Sequence, residues 1–191
     1  MKYPNLYKAF NRHIDLPIDV YLDLEGRLIH KKLGKKEFLF REGEVVKYLP
    51  FINDGLMINY IVEEDGEEHV IQIRGTGLWL GDLYSFFSDV RTRFNIQTYQ
   101  PTELLMINHE TFDYITKNHP VYEKFFRLNI QEAYVQTLNR IYNLHSATAK
   151  ERYLELIKNI PDLLDKIPHY LIASYLNIKP QSLSRIRKNI K

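Results

Sequence analysis

The hydrophobic pattern divides the chain into a strand-rich first part and a helical second part. Residues 31–108 contain short runs of β-branched and aromatic residues separated by turn residues, which predicts an antiparallel barrel or double sheet. From residue 109 onward, apolar side chains recur at intervals of three and four, which is typical of helices. The segment 17–29 has the same spacing, beginning at Ile18 and Tyr21, and predicts a short opening helix.

Glycines mark the turns between the predicted strands. Gly43 separates two β-type runs, and the pairs Asp54-Gly55 and Asp65-Gly66 interrupt the next two. An Asp-Gly pair between apolar runs favours a hairpin, because glycine accepts the positive φ that such turns require. We therefore expect a hairpin at each pair.

A long helix is predicted to start at Pro120, because the next 24 residues contain neither proline nor glycine. It carries two apolar stripes, which predicts two packing partners: the β-structure and either a second copy of the helix or a further surface of the same monomer. One stripe comprises Val121, Phe125, Leu128, Val135, Leu138 and Tyr142, and the other Phe126, Ile130, Ala133, Thr137, Ile141 and Leu144.

A shorter helix is predicted after it, with either Ser146 or Thr148 as its N-cap. Ala149, Tyr153 and Leu156 would face inward. Two prolines then bracket the short connector DLLDKI.

The closing stretch IASYLNIKPQSLSRIRKNI predicts a helix-turn-helix. Ala173 lets a second helix approach closely, Asn177 tolerates the left-handed conformation of the corner, and Ile178 fills the gap between the helices. Pro180 starts the second helix, whose Leu183 turns inward while its polar side chains face outward. Such a helix suits the major groove of DNA.

The charge distribution agrees with a nucleic-acid-binding end. The net charge is only +2, yet residues 1–145 carry 17 basic and 20 acidic side chains, whereas residues 146–191 carry 9 basic and 4 acidic ones. The last thirteen residues hold five cations and no acid. A cationic end on a mildly acidic body fits a partner rich in phosphates.

The composition argues against several other classes of protein. The chain has 45% hydrophobic and 26% charged residues, no apolar run long enough to span a membrane and no signal-peptide pattern, so we expect a cytoplasmic protein without membrane contact. The absence of cysteine excludes thiol catalysis and cysteine-ligated clusters. The seven histidines are scattered, and no nucleophile elbow or Walker loop is present, so neither a metal site nor an enzyme is expected.

Three segments together resemble the Crp/Fnr family of bacterial transcription regulators. They are FLFREGEVVKYLPFINDGLMINYIVEEDGEEHVIQI, GLWLGDLYSFF and IASYLNIKPQSLSRIRKNI. The resemblance implies an α+β protein: an N-terminal antiparallel β-roll, jelly-roll-like and of the cyclic-nucleotide-binding type, then a long dimerisation helix and a small all-α C-terminal domain. We expect residues 1–118 to form the β-roll sensor domain with its N-terminal helix, residues 119–145 the dimerisation helix, and residues 146–191 the DNA-binding domain.

The same resemblance implies a homodimer that binds double-stranded DNA and contacts RNA polymerase. Its operator would be a palindrome with half-sites about 34 Å apart. By carry-over, Arg185 would contact guanine and Gln181 adenine. Lys179, Ser182 and Lys188 would contact phosphates. The residues predicted to contact DNA are Lys179, Gln181, Ser182, Ser184, Arg185 and Lys188.

The resemblance also points to an effector site. In cyclic-AMP-responsive members, a Gly-Glu pair holds the ribose and an Arg-Ser pair the cyclic phosphate. Here Gly81-Asp82 takes the first position, and Thr92 stands where the arginine belongs. We call the site for the ribose and the cyclic phosphate the cradle. Neighbouring residues of a strand point to opposite faces, so the side chains of the flanking Arg91 and Arg93 should point away from it. We therefore expect a different effector or none, and no cofactor. The candidate residues are Gly81, Asp82, Leu83, Arg91, Thr92, Arg93 and Thr137.

One alternative function remains open from the sequence. The β-roll could be a small-molecule-binding module whose C-terminal helices contact another protein. The two functions differ in one measurable property, because binding to duplex DNA weakens steeply as salt rises.

Overall fold

The structure of the protein, a computed structural model, describes residues 1–159 and 166–190. The predicted connector lies outside the described residues except for its last part, and so does Lys191. The strands are β1 Ile29–Leu33, β2 Phe38–Phe40, β3 Tyr48–Asp54, β4 Leu56–Val62, β5 Glu68–Gly75, β6 Asn95–Thr98 and β7 Thr102–Asn108. The helices are α1 Pro4–Phe10, α2 Ile18–Glu25, α3 Leu83–Ser88, α4 His109–Asn118, α5 Val121–Ser146, α6 Ala149–Asn159, α7 His169–Tyr175 and α8 Pro180–Lys188.

The strands form two antiparallel sheets around one core. The first sheet has the order β1-β7-β3 and the second the order β2-β6-β4-β5. Phe51 and Leu104 from the first sheet and Met57 and Ile96 from the second share one hydrophobic cluster. This arrangement confirms the predicted α+β fold with an antiparallel roll, followed by a long helix and C-terminal helices. The bounds of the three predicted domains stay predictions.

The two Asp-Gly pairs have different roles. Asp65-Gly66 joins β4 to β5 within one sheet, so the hairpin predicted there is confirmed. The hairpin predicted at Asp54-Gly55 is wrong, because β3 pairs with β7 in the first sheet whereas β4 pairs with β5 and β6 in the second. The chain crosses between the sheets at this point, and Gly55 adopts φ +118° to do so.

Gly55 has no room for a side chain. A Cβ atom built there would lie 2.7 Å from the Cα of Thr102, which belongs to the backbone of β7 and cannot move aside alone. The same atom built on Gly66, at φ +86°, would meet nothing within 4 Å. The two glycines therefore differ in steric surroundings while sharing a positive φ.

We expect Gly55→Ala to lower the free energy of unfolding by about 3 kcal/mol, because backbone strain and overpacking act together. Gly66→Ala is the matched control and should cost about 1 kcal/mol, from backbone strain alone. Urea unfolding followed by circular dichroism measures both. Equal losses for the two variants would contradict the crossover at Gly55.

Strand β4 is buried on both faces, which explains its nearly continuous apolar sequence. Met57 faces the core between the sheets, whereas Leu56, Ile58 and Tyr60 belong to a second cluster. This second cluster includes Leu171 and other side chains of the C-terminal helices. The outer face of the second sheet is therefore covered by the C-terminal helices.

The N-terminal helix α1 closes the other side of the roll. It was not predicted, because its segment is short and ends before the periodic pattern begins. Phe10 is fully buried, and its ring lies 4.4 Å from that of Phe125 at the start of α5. The helix predicted within residues 17–29 is confirmed as α2.

Candidate nucleic-acid interface and effector cavity

The C-terminal helices form the predicted helix-turn-helix corner. Asn177 has φ +52°, the left-handed conformation expected of it. The Ile178 backbone N–H donates to the carbonyl of Ala173 at 3.0 Å and closes the turn. Ala173 and Leu183 are fully buried, so α7 and α8 meet through a small and a large side chain.

Helix α8 has one buried and one solvent-facing side, because its apolar residues are three apart. Leu183 is fully buried and Ile186 packs partly against the same cluster. Of the six residues predicted to contact DNA, five are exposed and Ser182 is partly buried. The hydroxyl of Ser184 donates to the carbonyl of Pro180 at 3.1 Å, so it already has one partner within the helix. The DNA contacts themselves stay predictions.

Helix α6 packs against the helix-turn-helix in the second hydrophobic cluster. The choice between the two predicted caps falls on Thr148, whose backbone N–H and hydroxyl both donate to Glu151, at 2.7 and 2.8 Å. These bonds lower the pKa of Glu151. Ser146 instead ends α5. Tyr153 and Leu156 are buried as predicted.

Helix α7 docks on the free edge of the second sheet. Strand β5 is the edge strand, so its outward backbone groups have no neighbouring strand. The hydroxyl of Ser174 accepts from the N–H of Val70 at 3.0 Å and donates to the carbonyl of Glu68 at 2.7 Å. One side chain of the helix-turn-helix thereby replaces a missing strand partner.

Arg140 of the long helix holds the same junction from a second direction. Its guanidinium donates to the carbonyls of Val70 and Tyr175, each at 3.1 Å, and to that of Ile71. It also lies 4.3 Å from the centre of the Tyr175 ring. Burial lowers the pKa of Arg140. Arg140 therefore links three parts of the fold: α5, β5 and α7.

We expect Arg140→Ala to lower the free energy of unfolding by about 3 kcal/mol, because it leaves buried carbonyls without donors. Arg127→Ala on the same helix is the control, since that arginine is exposed and, within the described part of the chain, its side chain bonds only to Gln131, at 3.3 Å. The control should change stability by about 0.5 kcal/mol or less. Thermal unfolding of the two variants side by side measures the difference, and equal stability would contradict the linking role.

Two of the residues predicted to form the cyclic-nucleotide cradle, Asp82 and Thr92, are hydrogen-bonded to each other. Asp82 caps α3: one carboxylate oxygen accepts from the N–H of Ser85 at 3.1 Å, and the other accepts from the hydroxyl of Thr92 at 2.8 Å. All three residues are buried.

The other candidate effector residues are dispersed. Arg91 is exposed and donates to the carbonyl of Gly43 at 2.6 Å, and Arg93 is also exposed. The hydroxyl of Thr137 donates to the carbonyl of Ala133 in its own helix, on an exposed face. The structure thus joins Asp82, which lies between Gly81 and Leu83, to Thr92, whereas Arg91 and Arg93, which flank Thr92, have exposed side chains and Thr137 is exposed on α5. The roles of all seven stay predictions.

A cavity of about 810 Å³ lies beside this cradle. Its walls come from the roll, the long helix and the helix-turn-helix, and they include Gly81 and Leu83 among the predicted residues. Sequence reasoning missed the cavity. The signal in the sequence is a set of polar residues between the apolar positions of α5, on the side of the helix that faces the roll. These residues are Asn129, Gln136, Asn139, Arg140 and Asn143.

Both predicted apolar stripes of α5 pack against the core of the roll at the start of the helix and are exposed to solvent further along it. At its start, Tyr122 and Phe125 are buried in the core of the roll. Beyond Leu128 the helix extends past the core, and large apolar side chains face solvent. These exposed residues are Ile130, Tyr134, Val135, Leu138, Ile141 and Tyr142.

Comparison with known proteins identifies the roll. Residues 30–119 match the family model of the cyclic nucleotide-binding domain. The matched segment includes all seven strands except the first residue of β1, together with α3 and α4. A search of curated protein sequences found no match.

Solved structures extend the likeness to the helices that follow the cyclic nucleotide-binding domain. The c-di-GMP responsive global regulator CLP of Xanthomonas campestris is 13% identical with a TM-score of 0.73, covering 91% of both chains. FixK2 of Bradyrhizobium japonicum is 16% identical with a TM-score of 0.72, covering 85% of this chain and 84% of its own. The catabolite activator protein of Thermus thermophilus is 18% identical with a TM-score of 0.56, covering 93% and 84%.

These neighbours confirm the resemblance to Crp/Fnr-type regulators at the level of the fold. The resemblance therefore covers the helix-turn-helix as well as the cyclic nucleotide-binding domain. Within the described ranges, no helix is both long and apolar enough to cross a membrane.

Proposed function

We propose that the protein is a sequence-specific DNA-binding transcription regulator of the Crp/Fnr type that binds a palindromic operator as a homodimer. The observation that carries the proposal is that α8 has one buried side and one exposed side. Leu183 anchors the helix against α7, while Gln181, Arg185 and Lys188 extend from the opposite, exposed side. A helix held in this way can enter a major groove without losing its own packing.

Base reading is assigned to the long polar side chains of α8. The Arg185 guanidinium can donate two hydrogen bonds to guanine, and the Gln181 amide suits adenine. Lys179 and Lys188, at the two ends of α8, fit phosphate contacts that fix the register of the helix. The excess of basic residues after position 145 supplies the general attraction to DNA.

Dimerisation is assigned to the exposed apolar residues of α5. Leu138 and Ile141 are each about half exposed, at 46% and 49%, and they lie one turn apart on the same face. A second copy of the helix would bury this face and place two recognition helices on one side of the dimer. Contact with RNA polymerase belongs to the same proposal.

Selection of bound sequences from random DNA duplexes tests the proposal. Two recognition helices related by a two-fold axis should enrich an inverted repeat whose half-sites are centred about one helical turn apart. Failure to enrich any motif at low salt would contradict sequence-specific binding. A single, unrepeated motif would contradict the dimer.

The alternative, a small-molecule-binding module whose terminal helices contact another protein, makes the opposite prediction for salt. Contacts with phosphates release counterions, so the logarithm of duplex affinity should fall linearly with the logarithm of salt concentration. A duplex affinity that is negligible at every salt concentration would favour the alternative.

A further inference from the structure

The cavity beside the cradle is bounded by the three parts of the protein that a regulator must couple. Trp79 lines it from the roll, Gln136 from the long helix, and Arg152 and Tyr175 from the C-terminal helices. Its volume of about 810 Å³ is in the range of pockets that hold small organic ligands. A molecule bound there would contact both the sensor domain and the helix-turn-helix.

Arg74 is the unusual residue of this cavity. It is partly buried on β5, yet among the described residues its guanidinium makes no hydrogen bond and no ion pair. Arg140 lies on the same cavity but is bonded to three carbonyls. Burial lowers the pKa of Arg74, and burial together with the charge of Arg74 lowers that of Arg140. A partly buried cation without a partner is costly, and an anion would relieve that cost.

Two acids and four arginines line the cavity. Glu132 lies 3.3 Å from the imidazole of His13, and its charge opposes the effect of burial on the pKa of Arg74. Glu155 accepts a hydrogen bond from Asn143 at 2.8 Å. Because Arg12 and Arg152 line the cavity as well as Arg74 and Arg140, the net charge of its lining is positive.

One wall of the cavity is aromatic. Trp79 lies 5.9 Å from Phe126 and 6.2 Å from Phe125, measured between ring centres, and all three line the cavity. Aromatic walls favour a ligand with a flat, apolar body. Further along α5, Asn129 and Gln136 also line the cavity and provide amide side chains that can orient polar substituents.

We propose that this cavity binds a small organic anion, with its carboxylate, phosphate or sulfonate on Arg74 and its flat apolar body against Trp79 and Phe126. The anchor lies on β5, outside the cradle formed by Asp82 and Thr92. That cradle is closed by the hydrogen bonds of its own residues. Ligand specificity then depends on charge and aromatic contact and does not require a cyclic nucleotide.

The anion is also assigned an effect on DNA binding, and this part rests on the proposed function. Arg74 and Arg140 line the same cavity, and Arg140 bonds to the carbonyl of Tyr175 at the end of α7. An anion on Arg74 would therefore change the electrostatic surroundings of the contact that docks the helix-turn-helix on β5.

Two fluorescent probes that differ by one charged group test the site. Anilinonaphthalene sulfonate is an aromatic anion, and N-phenylnaphthylamine is the same ring system without the sulfonate. The wild-type protein should bind the sulfonate more tightly than the neutral probe. Arg74→Gln should lower the affinity for the sulfonate about tenfold or more while leaving that for the neutral probe unchanged. Arg74→Lys, which keeps the charge, should retain part of the difference.

Arg93→Gln is the matched control, because Arg93 is exposed, makes no hydrogen bond among the described residues and lies next to the cradle. It should bind both probes as the wild type does. Since the Arg74 side chain has no hydrogen bond or ion pair to lose within residues 1–159 and 166–190, Arg74→Gln should fold normally and melt at the same temperature or higher. The proposal is overturned if Arg74→Gln binds the sulfonate like the wild type, if it loses both probes equally, or if Arg93→Gln loses as much.

Operator affinity measured with and without saturating sulfonate tests the coupling. It should change several-fold in the wild type and not in Arg74→Gln. An unchanged operator affinity with intact probe binding would overturn the coupling. Absence of any duplex binding, with intact probe binding, would overturn the proposed function and leave the anion site standing.

Discussion

Replacing Leu138 by glutamate should convert the protein from a dimer to a monomer and lower its affinity for a palindromic operator by about two to four orders of magnitude. Leu138 lies at the centre of the exposed apolar face of α5, between Tyr134 and Tyr142. A glutamate at that position in each chain would bury two unpaired charges in the dimer. The free-energy cost of burying them exceeds the stabilisation that the neighbouring apolar contacts provide. The recognition helix of each monomer would then bind its half-site alone, without the increase in affinity that comes from linking two such helices in a dimer.

Val62→Glu is the matched control for this substitution. Val62 is an aliphatic residue with 41% of its surface exposed, against 46% for Leu138, but it lies at the end of β4. Sedimentation equilibrium and a binding titration with the selected operator measure the two effects together. If Leu138→Glu remains a dimer with wild-type affinity, then the exposed face of α5 is not the interface.

Replacing Arg185 by alanine should abolish most of the discrimination between the operator and a scrambled duplex. Each lost guanine contact costs about 1–3 kcal/mol, and a dimer loses two of them, so the preference for the operator should fall by about a hundredfold or more. Stability should be unaffected, since Arg185 is exposed and its side chain makes no hydrogen bond among the described residues.

Lys188→Ala separates base reading from phosphate attraction. It should weaken binding to the operator and to the scrambled duplex by the same factor, and it should reduce the salt dependence of both. Fluorescence anisotropy with both duplexes, at several salt concentrations, measures the four affinities. If Arg185→Ala weakens both duplexes equally, Arg185 binds phosphate and does not read a base.

The helix-turn-helix could be predicted from the sequence because its determinants are local. The left-handed Asn177, the small Ala173 and the buried Leu183 lie within twenty residues of one another, so the sequence of one short segment predicts all three. The long helix and the antiparallel sheets were predictable for the same reason. Their apolar spacing is a property of one continuous segment.

Features that depend on distant parts of the chain could not be predicted in this way. The Asp54-Gly55 pair has the local signature of a hairpin, but pairing of β3 with β7, fifty residues away, turns it into a crossover between sheets. The docking of α7 on β5 joins Ser174 to Val70 across more than a hundred residues. Periodicity carries no information about such pairings.

The candidate effector site was only partly predictable. Resemblance to a family directed attention to Gly81, Asp82 and Thr92, and the structure does bring these three residues together. It gave no reason to consider Arg74, whose significance lies in the partners that it lacks. A residue without partners becomes visible only when its surroundings are known.

The most direct test of the account is the stoichiometry and salt dependence of the complex with the selected operator, measured by analytical ultracentrifugation. The account predicts two protein chains on one duplex carrying an inverted repeat, with the affinity falling steeply as salt rises. A single chain on the duplex, or an affinity independent of salt, would contradict it.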